Sequence, residues 1–336
     1  MSKIIKFLFL LLGIGLLVTV TYQTDLAQLA QHISAIGFFG VALILIVYSL
    51  YFGADVLSWQ ITMPKIPLTI LWFGRLYVVR MIGEAYNNLT PTASLGGEPI
   101  KAWLLKSNWA IPIRDSASSL VIAKTASMFS LSIFGCVGVI FLFQSSAFAG
   151  EEKNIALGGL IFIIFSSIVF FMMQYFRFSS YVVGKISSNR FAGLLQKAFS
   201  TVEDIDKRFD VFYREHGLRF GVACLAAMAN WLIGIVEVFV ILHLIGYPLS
   251  LAEVFIIESL VQLVRTITFF IPAGLGTQEG TFFIVVGALT GVSSAGLAVA
   301  FIRRFRELIW LAVSFLLAIF YSVRPSTMSK LDLEEL

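Results

Sequence analysis

Two short Gly- and Pro-broken stretches hold residue types that can do polar chemistry inside an otherwise apolar chain. The first runs Asn87-Asn88-Leu89-Thr90-Pro91 and on through Gly96-Gly97-Glu98-Pro99-Ile100-Lys101. The second is Pro272-Ala273-Gly274-Leu275-Gly276-Thr277-Gln278-Glu279-Gly280. Gly and Pro break a helix and free backbone groups, which lipid cannot satisfy. Such a break survives at membrane depth only if protein buries it or it lines a watery cavity. The chemistry available there is binding. Glu98 reads either as a helix-start carboxylate or as a functional intramembrane charge, and Lys101, three residues on, can face the same side.

A third cluster adds cations. Arg265 precedes Pro272 in an apolar run, and Arg303-Arg304-Phe305-Arg306-Glu307 lies in or beside the last one. An arginine at mid-membrane costs roughly 2.5 to 3.5 kcal/mol on insertion scales. Each must pair with a carboxylate, line an aqueous cavity or reach a headgroup zone. Glu98, Glu237, Glu258, Glu279 and Glu307 are the candidate partners. Arginine also grips phosphate bidentately, so the same residues can hold a phospholipid headgroup. An ion-paired brace between helices and a headgroup clamp both remain open. The candidate substrate-binding set is Asn88, Pro91, Gly96, Gly97, Glu98 and Lys101, then Arg265, Pro272, Gly274, Gly276, Gln278 and Glu279, then Arg303, Arg304, Arg306 and Glu307.

The elements that must position these groups are membrane helices. The chain has 336 residues, 58% hydrophobic and 13% charged, with mean hydropathy +0.90. A soluble domain carries about 25% charged residues. Cys136 and Cys224 each sit in an apolar run, and His32, His216 and His243 are scattered, so neither a disulfide framework nor a metal site is expected. No cofactor is expected either. Gly274-Leu275-Gly276-Thr277 is not a dinucleotide fingerprint, because it lies in an apolar setting with no βαβ context. The net charge of +4 fits basic loops rather than nucleic-acid binding.

Apolar runs over residues 4–22, 37–59, 117–143, 155–176, 220–245 and 295–321 predict about six full spans. Lys65, Arg75, Arg80, Lys101, Lys106 and Arg114 flank the first break on both sides. By the positive-inside rule, residues of about 70–112 form a re-entrant hairpin entering from the cytoplasm. Residues of about 177–219 mix basic and acidic groups with apolar ones at helical spacing, which predicts an amphipathic cytoplasmic helix, membrane-bound or solvated. Residues of about 253–291 hold the second break without flanking positive charge and predict a hairpin from the outside. Seven positions separate Pro91 from Glu98, and seven separate Pro272 from Glu279. Similar hairpins from opposite faces are the inverted-repeat arrangement of secondary transporters. The expected fold is therefore all-α and polytopic, a single membrane domain over 1–336 with both termini cytoplasmic.

Three motifs together resemble a known family. They are Leu95-Gly96-Gly97-Glu98-Pro99-Ile100-Lys101-Ala102-Trp103, Ile271-Pro272-Ala273-Gly274-Leu275-Gly276-Thr277-Gln278-Glu279-Gly280 and Arg303-Arg304-Phe305-Arg306-Glu307-Leu308. In this order they are similar to the flippase-like membrane domain of lysylphosphatidylglycerol synthases, including stand-alone members associated with hopanoid biosynthesis. The resemblance implies a bacterial inner-membrane protein that moves or handles a lipid. The chain ends soon after the last apolar run, so the aminoacyl-transferase domain of the synthases is expected to be absent, and with it enzyme activity.

The leading expectation is a flippase-like transporter of an anionic or modified lipid, with membrane lipid as its partner. A secondary transporter of a solute or ion, and a non-catalytic scaffold for lipid-synthesis enzymes, are the alternatives. No nucleophile elbow or phosphate loop supports an enzyme. Homo-oligomerisation stays open.

Overall fold

The computed structural model describes residues 18–19, 22, 26–89, 97–176, 192–269, 271 and 274–323. Every element among them is a helix. In chain order these are α1 (Leu26–Ala35), α2 (Gly37–Ile61), α3 (Ile70–Leu89), α4 (Gly97–Trp109), α5 (Ile113–Gln144) and α6 (Gly150–Tyr175), then α7 (Ala192–Glu215), α8 (Gly217–Leu244), α9 (Leu251–Ile267), α10 (Thr277–Thr290) and α11 (Ser293–Val323). Four of them, α2, α5, α6 and α8, are long and apolar enough to cross a membrane. They make this a multi-pass membrane protein, and they coincide with four of the six expected spans. The first expected span lies almost wholly outside the described residues. The last is α11, which is long but carries four charged residues, Arg303, Arg304, Arg306 and Glu307.

Local sequence explains the helix ends. At α9, Ser250 Oγ accepts from the Glu253 backbone N–H at 3.3 Å while Glu253 Oε2 accepts from the Ser250 N–H at 2.8 Å. That reciprocal pair satisfies two of the donors a helix start leaves open. At α10, Glu279 Oε2 accepts from the Gly276 N–H at 2.8 Å. The helix then stops at Gly291, at φ +74°.

Two apolar cores share α11 between them. One gathers Phe134 of α5, Val238 of α8, Ile257 of α9, Phe282 and Val286 of α10, and Ala298 of α11. The other gathers Val56 of α2, Leu76 and Val79 of α3, and Leu105 of α4, with Trp310 of α11 packed against it. Helices α3 and α4 pair, as do α9 with α10 and α10 with α11. The α3–α4 crossing is very close. A Cβ on Gly97 would lie 2.0 Å from the Gly83 carbonyl oxygen, so no side chain fits there.

The expected hairpins map onto these pairs. Residues 70–112 became α3 and α4, and 253–291 became α9 and α10. The expected amphipathic segment is α7, with residues 177–191 outside the described residues. Over its described side chains, residues 204–215, its buried face packs on protein. Phe209 and Phe212 are buried against Ile122 of α5, and Tyr213 Oη donates to Gln174 Oε1 of α6 at 2.8 Å.

Candidate functional site

Successive residues of a helix point about 100° apart, so the charges of α11 reach different neighbours. Arg303 grips Glu258 with both arms, Nη1 at 2.9 Å and Nη2 at 3.1 Å, and Nε donates to Glu237 at 3.2 Å. Gln262, one turn beyond Glu258, donates to the same carboxylate at 2.7 Å. The Arg303 side chain is only 3% exposed, and its two carboxylates 1% or less. Arg306 places Nε 2.6 Å from the other oxygen of Glu237, and its guanidinium lies 3.6 Å from the Tyr48 ring centre. A desolvated contact of this kind contributes about 2 kcal/mol. Arg304 donates to Glu279 at 2.6 Å and to Glu307 at 3.0 Å.

The first broken pair carries a second charged group. Glu98 stands in the first turn of α4 and accepts from Lys101 Nζ at 2.7 Å. Lys101 is 0% exposed, its stem pressed onto Gly83 of α3. Asn87 Oδ1 accepts from the Gly97 N–H at 2.7 Å, tying the end of α3 to the start of α4. Arg80 of α3 pairs with Asp55 of α2 at 2.5 Å. Glu84 and Glu98 also face Arg80.

Tyrosines of α2 lie near both groups. Tyr48 lies under the Arg306 guanidinium and within electrostatic reach of Glu307 and Glu84. Tyr51 lies within electrostatic reach of Arg265, Glu258, Asp55 and Arg303. The two charged groups therefore share a neighbourhood across α2. Arg265 stands apart. It lies within electrostatic reach of Glu307 and Tyr51, yet no ion pair or hydrogen bond engages it among the described residues. Arg304 Nη2, Arg306 Nη1, Trp310 Nε1 and both amide atoms of Gln278 are buried without a hydrogen-bond partner among the described residues. Buried donors normally find an acceptor.

The structure thus gathers most of the expected residues. Glu98 with Lys101, and Glu279 with Arg304, repeat one arrangement: a glutamate in the first turn of the second helix of a broken pair, holding a cation. Gly97 provides the close crossing, while Gly274 and Gly276 turn into α10 at φ +60° and +77°. Pro91, Gly96 and Pro272 lie outside the described residues, as does the Asn88 side chain. The neighbouring Asn87 bridges the helices instead. The α4 helix begins at Gly97, two residues before Pro99, whose missing N–H is harmless anywhere in a first turn. Arg306 sits closest to Glu237 and keeps a longer ion pair, 3.8 Å, with its chain neighbour Glu307. Tyr48, Tyr51, Asp55 and Arg80 were not foreseen as site residues. Tyr48, Tyr51 and Asp55 recur at helical spacing along α2, which was the available signal.

A UPF0104 membrane protein of Methanothermobacter thermautotrophicus is 24% identical over 267 residues, covering 72% of this chain and 74% of the relative. No solved structure matches the chain. The family model described as the lysylphosphatidylglycerol synthase TM region matches residues 4–316, nearly the whole chain, and the protein belongs to that family.

Proposed function

We propose that the protein moves a lipid with an anionic headgroup between the leaflets of a bacterial inner membrane, without covalent chemistry. One observation carries this reading. Among the described residues, a buried network that pairs most of its charges leaves Arg304 Nη2 and Arg306 Nη1 without an acceptor, and no ion pair engages the half-buried Arg265 beside them. A phosphate supplies several acceptor oxygens in the geometry that guanidinium groups match. Trp310 Nε1 and the Gln278 amide add neutral donors. In this reading the α3–α4 and α9–α10 pairs are re-entrant hairpins from opposite faces, and the headgroup crosses between them. Both termini then face the cytoplasm. Glu98 and Glu279 hold the cations in place while the headgroup is absent.

The test is reconstitution into phosphatidylcholine vesicles containing acyl-labelled fluorescent phosphatidylglycerol, with dithionite bleaching of the outer leaflet. The wild type is expected to expose the inner pool. Arg265→Ala should slow that exposure about tenfold or more, and Arg265→Lys should restore part of it. No acceleration over protein-free vesicles, or Arg265→Ala at the wild-type rate, overturns the reading. Uptake of a water-soluble solute instead would support the secondary-transporter alternative. Stable capture of lipid-synthesis enzymes would support the scaffold.

A further inference from the structure

A second site lies away from the arginine network. A cavity of about 780 Å³ opens between the loop 62–66, the turn from the end of α4 into the first turn of α5 (109–115) and the stretch 204–216 of α7 and its end. That volume is in the usual range for a small-molecule site, roughly 300 to 1,000 Å³. The loop leads into α3 and the turn leaves α4, so the cavity touches both ends of the first broken pair.

Its wall divides by chemistry. The floor is apolar: Ile66, Trp109, Ile111, Ile122 and Phe212 are all buried. The rim is charged, and the two signs are placed differently. Asp115 is 14% exposed and already held by Lys65 at 3.1 Å and by Arg208. Asp204 is held by Arg114. Lys65 leans outward, 75% exposed, and its ammonium has donors to spare beyond Asp115. Arg208 Nε is buried without a hydrogen-bond partner among the described residues. Lys207 and Glu215, both exposed and of opposite sign, and His216, against the Phe212 ring, complete the titratable groups of the wall. Asp115 and Asp204 are thus engaged in pairs, while Lys65 and Arg208 keep donors over an apolar floor.

We propose that this cavity binds an anionic amphiphile, its acyl chain against Trp109, Ile122 and Phe212 and its carboxylate or phosphate at Lys65 and Arg208. The occupant is a free fatty acid or one chain of an anionic bilayer lipid. An arriving anion competes with Asp115 for Arg208, so occupancy bears on how α7 is held to the start of α5. None of these residues belongs to the proposed transport network, and the site stands whether or not that reading does.

Trp109 reports on occupancy. The full-length protein in phosphatidylcholine nanodiscs is titrated with dibromostearate, with its methyl ester and with phosphatidylglycerol bearing brominated chains. Quenching in Trp109→Phe is subtracted at each point. Saturable Trp109 quenching by an anionic probe is expected, about tenfold or more tighter than by the methyl ester. Lys65→Gln should weaken it to the level of the ester. Val211→Phe, which places bulk in the cavity from an exposed position on α7, should abolish it. Saturation by dibromostearate alone assigns a free fatty acid, and saturation by the phospholipid as well assigns bilayer lipid entering sideways. Linear quenching that is equal for acid and ester, and unchanged by Val211→Phe in a protein of unaltered melting temperature, means bulk partition and overturns the proposal.

Discussion

Arg303 and Lys101 show two ways to keep a cation out of lipid. Arg303 has two carboxylates and five donors, so losing one partner leaves a buried charge half-satisfied. Removing one side of a buried pair typically costs about 3 to 5 kcal/mol, and Glu258→Ala should lower the melting temperature in detergent accordingly. Lys101 has a single close carboxylate, Glu98. Glu98→Gln should therefore destabilise the protein, while Glu98→Gln with Lys101→Met should recover most of that loss, because both charges leave together. If the pair serves transport, the double variant regains stability but not lipid movement. A double variant with wild-type transport would reduce the pair to a brace. The sequence named these residues correctly as candidates, because charges stand out against 58% hydrophobic composition. It named the carboxylates as a pool of partners without assigning one to each cation. Arg306 reaches Glu237, far away in the chain, because α8 and α11 meet only in the tertiary fold.

At the scale of elements, the α3–α4 crossing rests on backbone contact. Gly97→Ala would push a methyl into the Gly83 carbonyl, and overpacking of this kind costs about 1 to 3 kcal/mol. Gly74, on the same pair, has nothing within 4 Å of a built Cβ. Gly74→Ala should be neutral or stabilise by up to about 1 kcal/mol, since glycine weakens a helix interior. Thermal unfolding of the two variants side by side checks the contrast, and equal effects would mean that the crossing is looser than it looks. The breaks themselves were legible, because Gly-Gly-Glu-Pro and Pro-Ala-Gly-Leu-Gly interrupt apolar runs. Which glycine meets which carbonyl was not, since any Gly looks alike until another backbone arrives.

Across the whole molecule, α7 is the part whose role changed most from sequence to structure. Its helical spacing of apolar residues was plain, and so was its mixed charge. Amphipathicity only says that one face wants cover, and lipid or protein can provide it. Here Ile122 and Gln174 meet that face, and Asp115 ties it through Arg208 to the first turn of α5. Asp115→Asn should loosen α7, seen as faster amide exchange over 204–215 with α5 and α8 unaffected. The difference should shrink at high salt, where exposed ion pairs are screened in both proteins. Unchanged exchange would leave the apolar contacts as the only clamp.

By itself, the sequence determined that the chain is helical and membrane-spanning, where its helices break, and which charges lie among apolar residues. Those follow from composition and from periodicity along one strand of chain, which are local. The tertiary structure alone decided which carboxylate holds which arginine, that tyrosines of α2 lie near both charged groups, that no ion pair among the described residues engages Arg265, and that a cavity forms under α7. Each depends on which helices pack together, and packing in a membrane is governed by close contact between distant segments rather than by any local preference.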